Sequence, residues 1–177
     1  NSVPAVVAVR DILKIAKTAK EVKEMIKQKL LKINDRDVKD PRESICLFNK
    51  FKADKEYILT LTSQGKFTLE QFKDKERPCK VIKKTAIKGN KIQLNLHDGT
   101  NIQTKEKINT QDTVFLSPEK KIIKVKPLEK GAKCIVIAGK YLGASGSIQE
   151  LNGNLLAIQL KNREDLTQLD KRRIFVI

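Results

Sequence analysis

Residues 131–148 read GAKCIVIAGKYLGASGSI. The apolar run Cys134 to Ala138 has the length of a strand, and Gly139, Gly143 and Gly146 follow it with Lys140-Tyr141 between them. Two chemistries put glycines at such intervals: a cradle for phosphate, or sharp bends in a β-ribbon. A phosphate cradle of the P-loop type needs Gly-Lys-Ser/Thr opening a helix, with the hydroxyl on magnesium. Here Lys140 is followed by Tyr141, and the residues after it alternate as a strand does. The glycines are therefore read as turning the backbone between strands, with Lys140 and Tyr141 carried on an exposed loop.

Toward the N-terminus the strand signals continue. Pro78 opens CKVIKKTAI, Gly89-Asn90, KIQLNLH, Asp98-Gly99 and TNIQTK, in which Asn/Gly and Asp-Gly pairs supply the positive-φ turns of tight hairpins. Pro118 and Pro127 bound further segments, among them KKIIKVK (120–126) with alternating faces. Leu47 to Leu61 predicts two short strands separated by the polar Lys52–Glu56. LLKIN and RDVKD, with Asn34-Asp35 between, predict a hairpin that Pro41 closes.

Only the first 30 residues carry a helical rhythm. Val6, Val9, Ile12, Leu13 and Ala16 recur as one helix face, and Thr18-Ala-Lys-Glu21 has the form of a capping box that starts a second helix. On that helix Val22, Met25 and Ile26 share one side, while Lys20, Lys23 and Lys27 share the opposite one.

The 177 residues include 37 Lys+Arg against 21 Asp+Glu, a net charge of +16. Such a charge opposes compaction and fits a polyanionic partner, nucleic acid foremost. It is not confined to a tail. Segments 1–44, 45–77, 78–130 and 131–177 are each net positive, and 78–130 is the most basic, with 12 basic and 5 acidic side chains. Cys46, Cys79 and Cys134 are too far apart for a CxxC knuckle, and with His97 as the only histidine no Cys/His zinc set assembles. They are read as reduced packing residues of an intracellular protein, with no metal and no cofactor expected. No apolar stretch is long enough to span a membrane. The start at Asn1, without a signal-type apolar region, predicts an incomplete or trimmed N-terminus.

The helix, capped helix and hairpin, from Thr18-Ala-Lys-Glu-Val-Lys through Ile33-Asn34-Asp35-Arg36-Asp37-Val38, resemble the S4 RNA-binding domain. Two positions depart from that family: Lys29 stands where glycine is frequent, and Asn34-Asp35 replaces Asn-Gly. Gly131, Gly139, Gly143 and Gly146 resemble the KOW motif of small SH3-like barrels that bind RNA. Between them, KTAIKGNKIQLNLHDGTNI (84–102) resembles the central domain of the archaeal and eukaryotic small-subunit ribosomal protein S4e family. SVPAVV (2–7), GKFTL (65–69) and RIFVI (173–177) also look like landmarks of that family, so the resemblance covers nearly the whole chain. The family's basic N-terminal extension is missing before Asn1, and the chain looks like an archaeal-type member.

The resemblance implies an α+β fold in three parts. These are an N-terminal RNA-binding domain of helical hairpin plus strands (1–64), a central β domain (65–127) and a C-terminal SH3-like KOW β-barrel (128–177). It implies a structural constituent of the small ribosomal subunit, in the cytoplasm, whose partners are small-subunit ribosomal RNA and neighbouring ribosomal proteins, with no membrane and no small-molecule substrate. The expected RNA-binding residues are Lys20, Lys23 and Lys27, with Arg10, Lys14, Lys17 and Arg36 beside them. Lys83, Lys84, Lys88 and Lys91 serve the middle domain, and Lys133, Lys140 and Tyr141 the third. With 5% aromatic residues the chain lacks the stacking platforms of single-strand readers, which favours recognition of folded RNA by backbone and shape.

Two other classes are weighed against this. A KOW-bearing transcription elongation or antitermination factor needs a hydrophobic docking groove near the N-terminus, where this chain instead carries a lysine-faced helix. An RNA-modifying enzyme needs a catalytic aspartate in a larger fold, for which no length remains. His97 precedes Asp98 but has no nucleophile motif nearby, so it is read as turn packing rather than as a general base. Glu164-Asp165 and Asp35/Asp37 lie among basic residues and are read as ion-pair partners or solvated surface. No catalytic residue is expected.

Overall fold

Ser2–Pro4 (β1) leads into a short helix, Ala5–Val7 (α1), that widens into a π-helical turn over Ala8–Ile12. This is a computed structural model, and it describes residues 1–177 apart from 75, 90, 162 and 164. In the wide turn the Leu13 N–H donates to the Ala8 carbonyl, five residues back, at 2.9 Å. The rhythm expected through Ala16 therefore breaks early, because Lys14 takes φ +56°, a left-handed conformation that a right-handed helix cannot contain. Ala16 is buried nonetheless.

The second helix, Ala19–Lys27 (α2), begins where the capping box places it. Thr18 Oγ1 accepts the Glu21 N–H at 3.2 Å, and the Glu21 carboxylate accepts the Lys17 N–H at 2.8 Å. These bonds satisfy donors that no helix end satisfies by itself. At its other end Leu30 N–H donates to Met25 O and Lys29 N–H to Ile26 O, a Schellman stop. Lys29 occupies the left-handed position of that stop at φ +57°, where glycine is the unstrained residue.

Strands β2 (Lys32–Ile33) and β3 (Arg36–Asp37) form the expected hairpin, with Asn34 and Asp35 both at positive φ. Next come β4 (Ser44–Cys46), β5 (Lys50–Lys52), β6 (Glu56–Leu61) and β7 (Phe67–Gln71). Five of these strands make one sheet in the order β3-β2-β5-β6-β7, while β4 pairs with β1 instead. Val22, Leu31, Ile33, Ile45, Phe51 and Leu59 meet in one core beneath the helices. Each such side chain contributes about 1.5–3 kcal/mol by leaving water.

The chain divides into two units, 1–62 with 66–77, and 63–65 with 78–177. The expected boundary after residue 64 falls at the tip of the β6–β7 hairpin. Tyr57 to Leu61 pair with Gln71 to Phe67, so β7 belongs with the first unit and not with the middle block.

The second unit contains two further sheets. Its first part has β8 (Arg77–Ile87), β9 (Lys91–Leu96), β10 (Asn101–Thr104), β11 (Thr113–Leu116) and β12 (Ile122–Lys126), in the order β10-β9-β8-β11-β12. Cys79, Val81, Leu94, Leu96, Ile108, Val114 and Leu116 form its core. Its second part has β13 (Lys133–Val136), β14 (Ser145–Asn152), β15 (Leu155–Leu160), β16 (Leu166–Asp170) and, after a 3-10 turn at Lys171–Arg173, β17 (Ile174–Val176). These five strands are antiparallel in the order β16-β15-β14-β13-β17 around a separate core that includes Cys134, Ile148, Leu156 and Ile174.

The fold is thus mixed and dominated by sheet. No helix among the described residues is long and apolar enough to cross a membrane. Asn90 of the expected Gly89-Asn90 turn and Glu164 of the Glu164-Asp165 pair lie outside the described residues.

Candidate nucleic-acid interface

On α2 the two faces separate as their spacing dictates. Val22 is buried and Met25 and Ile26 pack on the core, while Lys20, Lys23 and Lys27 are exposed. Lys27 lies 3.4 Å from Glu24, a solvent-facing pair of little energetic weight.

Arg10, Lys14 and Lys17 line one shallow depression with Asp11 and Ala16. Arg10 is not free in it: its guanidinium grips Asp11 at 2.7 and 2.9 Å. That hydrogen-bonded pair raises Arg10 and holds the Asp11 carboxyl below its ordinary range. Lys23 lines a second hollow with Val6, Ala19, Asp40, Pro41 and Arg42. Arg42 was not expected there, since the loop that brings it beside α2 has no periodicity to read. Arg36 is exposed on its hairpin and bound to Glu43, so it carries its own counter-charge.

In the middle block Lys83, Lys84, Lys88 and Lys91 are all exposed. They do not share one face. Lys83 and Lys91 stand on the side of the β8–β9 ladder away from the core. Lys84, opposite Leu94, turns its ammonium toward the Ile108 carbonyl (3.4 Å) and Asn109 Oδ1 (3.5 Å).

In the last block Lys133 and Lys140 are exposed, but the loop does not hold Tyr141 out in water as expected. Tyr141 is half-buried against the core, with Arg163 Cζ 5.0 Å and Lys140 Nζ 5.8 Å from its ring centroid. Arg163 Nη1 also donates to the Tyr141 hydroxyl at 3.4 Å. Burial keeps the ring's apolar body dry and its hydroxyl satisfied. Arg163, 22 residues away, had no sequence signal linking it to Tyr141.

One glycine departs from its expected role. Gly143, at φ +86°, turns the loop, and its N–H donates to the Val136 carbonyl at 2.8 Å. Gly146 turns nothing: it lies inside β14, where a Cβ would come within 2.3 Å of the Gln159 carbonyl oxygen. Close strand approach, not turn geometry, requires glycine there.

Cys79, His97 and Asp98 place their donor atoms within 4.8 Å of one another. The hydrogen bonding opposes a metal. His97 Nδ1 accepts the Lys80 backbone N–H at 3.2 Å, which puts the imidazole proton on Nε2 and removes that lone pair. A metal-bound histidine shows the reverse, donating through its second nitrogen. The ring meets Phe175 edge-on, centroids 5.3 Å apart, so His97 packs against a strand at the far end of the chain.

Comparison with known proteins bears on what these surfaces meet. A family model described as Ribosomal family S4e matches residues 53–123. The small ribosomal subunit protein eS4 of Methanocella arvoryzae is 33% identical over 156 residues, covering 85% of this chain and 67% of that protein. Its counterpart from Methanococcus maripaludis is 30% identical over 181 residues, covering 93% and 74%. The chain thus spans between two thirds and three quarters of these relatives' length. The crystal structure of the 30S ribosomal protein S4e from Thermoplasma acidophilum superimposes with a TM-score of 0.82 at 25% identity, covering 99% of this chain and 94% of that one.

Proposed function

This chain belongs to the ribosomal S4e family, and from that premise we propose that it is a structural constituent of the small ribosomal subunit that binds and organises small-subunit ribosomal RNA. The family consists of ribosomal structural proteins, not enzymes. Neighbouring ribosomal proteins are the further partners, and the ribosome in the cytoplasm is the place of action. In this reading residues near the N-terminus form an S4-type RNA-binding domain, followed by a central β domain and a KOW-type SH3-like barrel. The three separate hydrophobic cores support that division.

The observation that carries the reading is the α2 surface. A helix held at both ends by its own hydrogen bonds presents Lys20, Lys23 and Lys27 opposite the residues it buries. Fixed cations of this kind neutralise phosphates, release condensed counterions and set the orientation of a rigid module on RNA. Lys14, Lys17, Lys83, Lys88, Lys91, Lys133 and Lys140 are exposed and supply the same chemistry elsewhere. Arg10, Arg36 and Lys84 reach RNA only by exchanging the partners they now hold, and Tyr141 contributes by placing its flanking cations.

The test is salt dependence. Affinity for small-subunit ribosomal RNA falls by roughly 10³ between about 50 and about 200 mM salt if about six phosphates are engaged. A flat response rejects the proposal.

A further inference from the structure

Past a bulge between Val81 and Lys83, the three strands β8, β9 and β10 sort their faces by chemistry. Inward, Leu94 joins the core, with Ile92 and Ile102 packed against it. Outward, the register aligns Lys83, Asn95 and Asn101 in one row and Thr85, Gln93 and Gln103 in the next, with Lys91 following opposite Ile87. The Asn95 amide donates to Asn101 Oδ1 at 2.8 Å, while its own Oδ1 is enclosed without a hydrogen-bond partner.

Asparagine is depleted in strands, so its pairing across two of them is not explained by strand formation. Surfaces that meet only water ordinarily mix both signs of charge. Among the described residues of this face, from Lys83 to Gln103, none is a carboxylate. Lysines alone would serve phosphate neutralisation, to which four carboxamides add nothing. What carboxamides add is a donor and an acceptor on each side chain, repeated across three strands that span about 10 Å.

Double-helical RNA offers the matching surface. Its minor groove is wide and shallow, and it displays 2′-hydroxyls, each a donor and an acceptor, beside base edges. We infer that the outward face of β8–β9–β10 contacts the minor groove of double-helical RNA, with Gln93, Asn101 and Gln103 on 2′-hydroxyls and base edges, Asn95 holding Asn101 in place, and Lys83 and Lys91 on the bordering phosphates. The inference rests on the ribosomal RNA reading above and adds to it a mode of recognition that distinguishes RNA from DNA.

The experiment measures full-chain binding to an RNA hairpin, to the same hairpin with 2′-O-methyl groups, and to its DNA counterpart. The unaltered chain prefers RNA. Replacing one row, Gln93→Ala with Gln103→Ala, lowers RNA affinity about tenfold, leaves DNA affinity unchanged and does not alter the salt slope. Lys83→Ala with Lys91→Ala weakens binding to all three and flattens the slope by roughly one per lysine. Gln93→Met with Gln103→Met keeps side-chain length without adding charge and gives the same RNA loss should the alanine pair fail to fold.

Equal binding of RNA and 2′-O-methyl RNA by the unaltered chain overturns the inference, as does equal loss on RNA and DNA in the row variants. Row variants that bind RNA normally but fail to enter small subunits also overturn it, by marking the face as a protein contact. If the unaltered chain binds small-subunit RNA with a steep salt slope and the row variants match it, this inference alone fails. If the unaltered chain does not bind that RNA, both readings fail.

Discussion

Lys80 Nζ stands 2.5 Å from the carbonyl oxygen of Ile174, 94 residues further along the chain. The same ammonium donates to the carbonyls of Lys171 (3.0 Å) and Arg172 (3.2 Å), two residues of the 3-10 turn before β17. An ammonium has three donors, and three acceptors meet them. Lys80 is 1% exposed, so the bond set replaces water altogether. Lys80→Met keeps most of the volume and leaves three carbonyls short of a donor. It lowers stability by about 2 kcal/mol, read from the urea midpoint near neutral pH.

Burial lowers Lys80 from 10.5 to about 8, against a partial opposing effect of Asp170. The folded state therefore sheds this proton before the unfolded state does. Stability from this group rises as pH climbs from about 8 toward 10.5 and is lost again as pH falls through about 8. Cys134, which burial pushes up from 9.0 to about 11, acts in the opposite sense over much of that range. The difference between wild type and Lys80→Met isolates the lysine: it shifts in favour of wild type between pH 8 and 10. A difference independent of pH contradicts the assignment.

Gly146 and Gly153 separate two reasons for glycine. A methyl at Gly146 meets the Gln159 carbonyl at 2.3 Å and forces β14 away from β15. Gly146→Ala therefore costs at least about 2 kcal/mol. Gly153 has φ +64° with nothing within 4 Å, so Gly153→Ala costs only about 1 kcal/mol of backbone strain. Thermal unfolding of the two variants gives the order directly, and equal losses would remove the close-approach argument.

Lys29 and Asp35 both hold left-handed backbone that glycine adopts freely, at φ +57° and +66°. Lys29→Gly raises stability by about 1 kcal/mol, because the exposed ammonium has nothing comparable to lose. Asp35→Gly gains less. It gives up the ion pair with Lys50 at 3.4 Å, an interaction worth up to about 1 kcal/mol that offsets the relief. Denaturant midpoints should rise for the first and barely move for the second.

Lys20→Glu, Lys23→Glu and Lys27→Glu together test the α2 face. Glutamate sustains a helix about as well as lysine, so the fold persists. Affinity for small-subunit RNA drops more than about tenfold, and the salt slope flattens by roughly three. Binding that matches wild type acquits this face.

Local features were legible. The Thr18–Glu21 cap, the Asn34-Asp35 turn and the strands of CKVIKKTAI and KIQLNLH depend on neighbours a few residues apart, and their spacing carries the physics. Pairings between distant residues were not. Val3 meets Ile45 across β1 and β4, Arg36 meets Glu43, and Arg163 closes over Tyr141, none with a period that announces it. The π-helical turn at Ala8–Ile12 escaped for another reason: the apolar rhythm runs on to Ala16, but the left-handed Lys14 ends the helix first.

Within β8 the division is plainest. Alternation from the buried Cys79 and Val81 assigns Lys80 to the side away from the core, and the bulge between Val81 and Lys83 brings Lys83 to that side as well. Whether that side meets water depends on what lies over it. The 3-10 turn and β17 cover Lys80, while nothing described covers Lys83 to the same degree. The order of residues by itself determined turns, caps and the excess of positive charge, because those follow from short-range geometry and composition. Only tertiary packing decided which cations stay solvated and which become structural, because burial is set by segments that sequence separation hides.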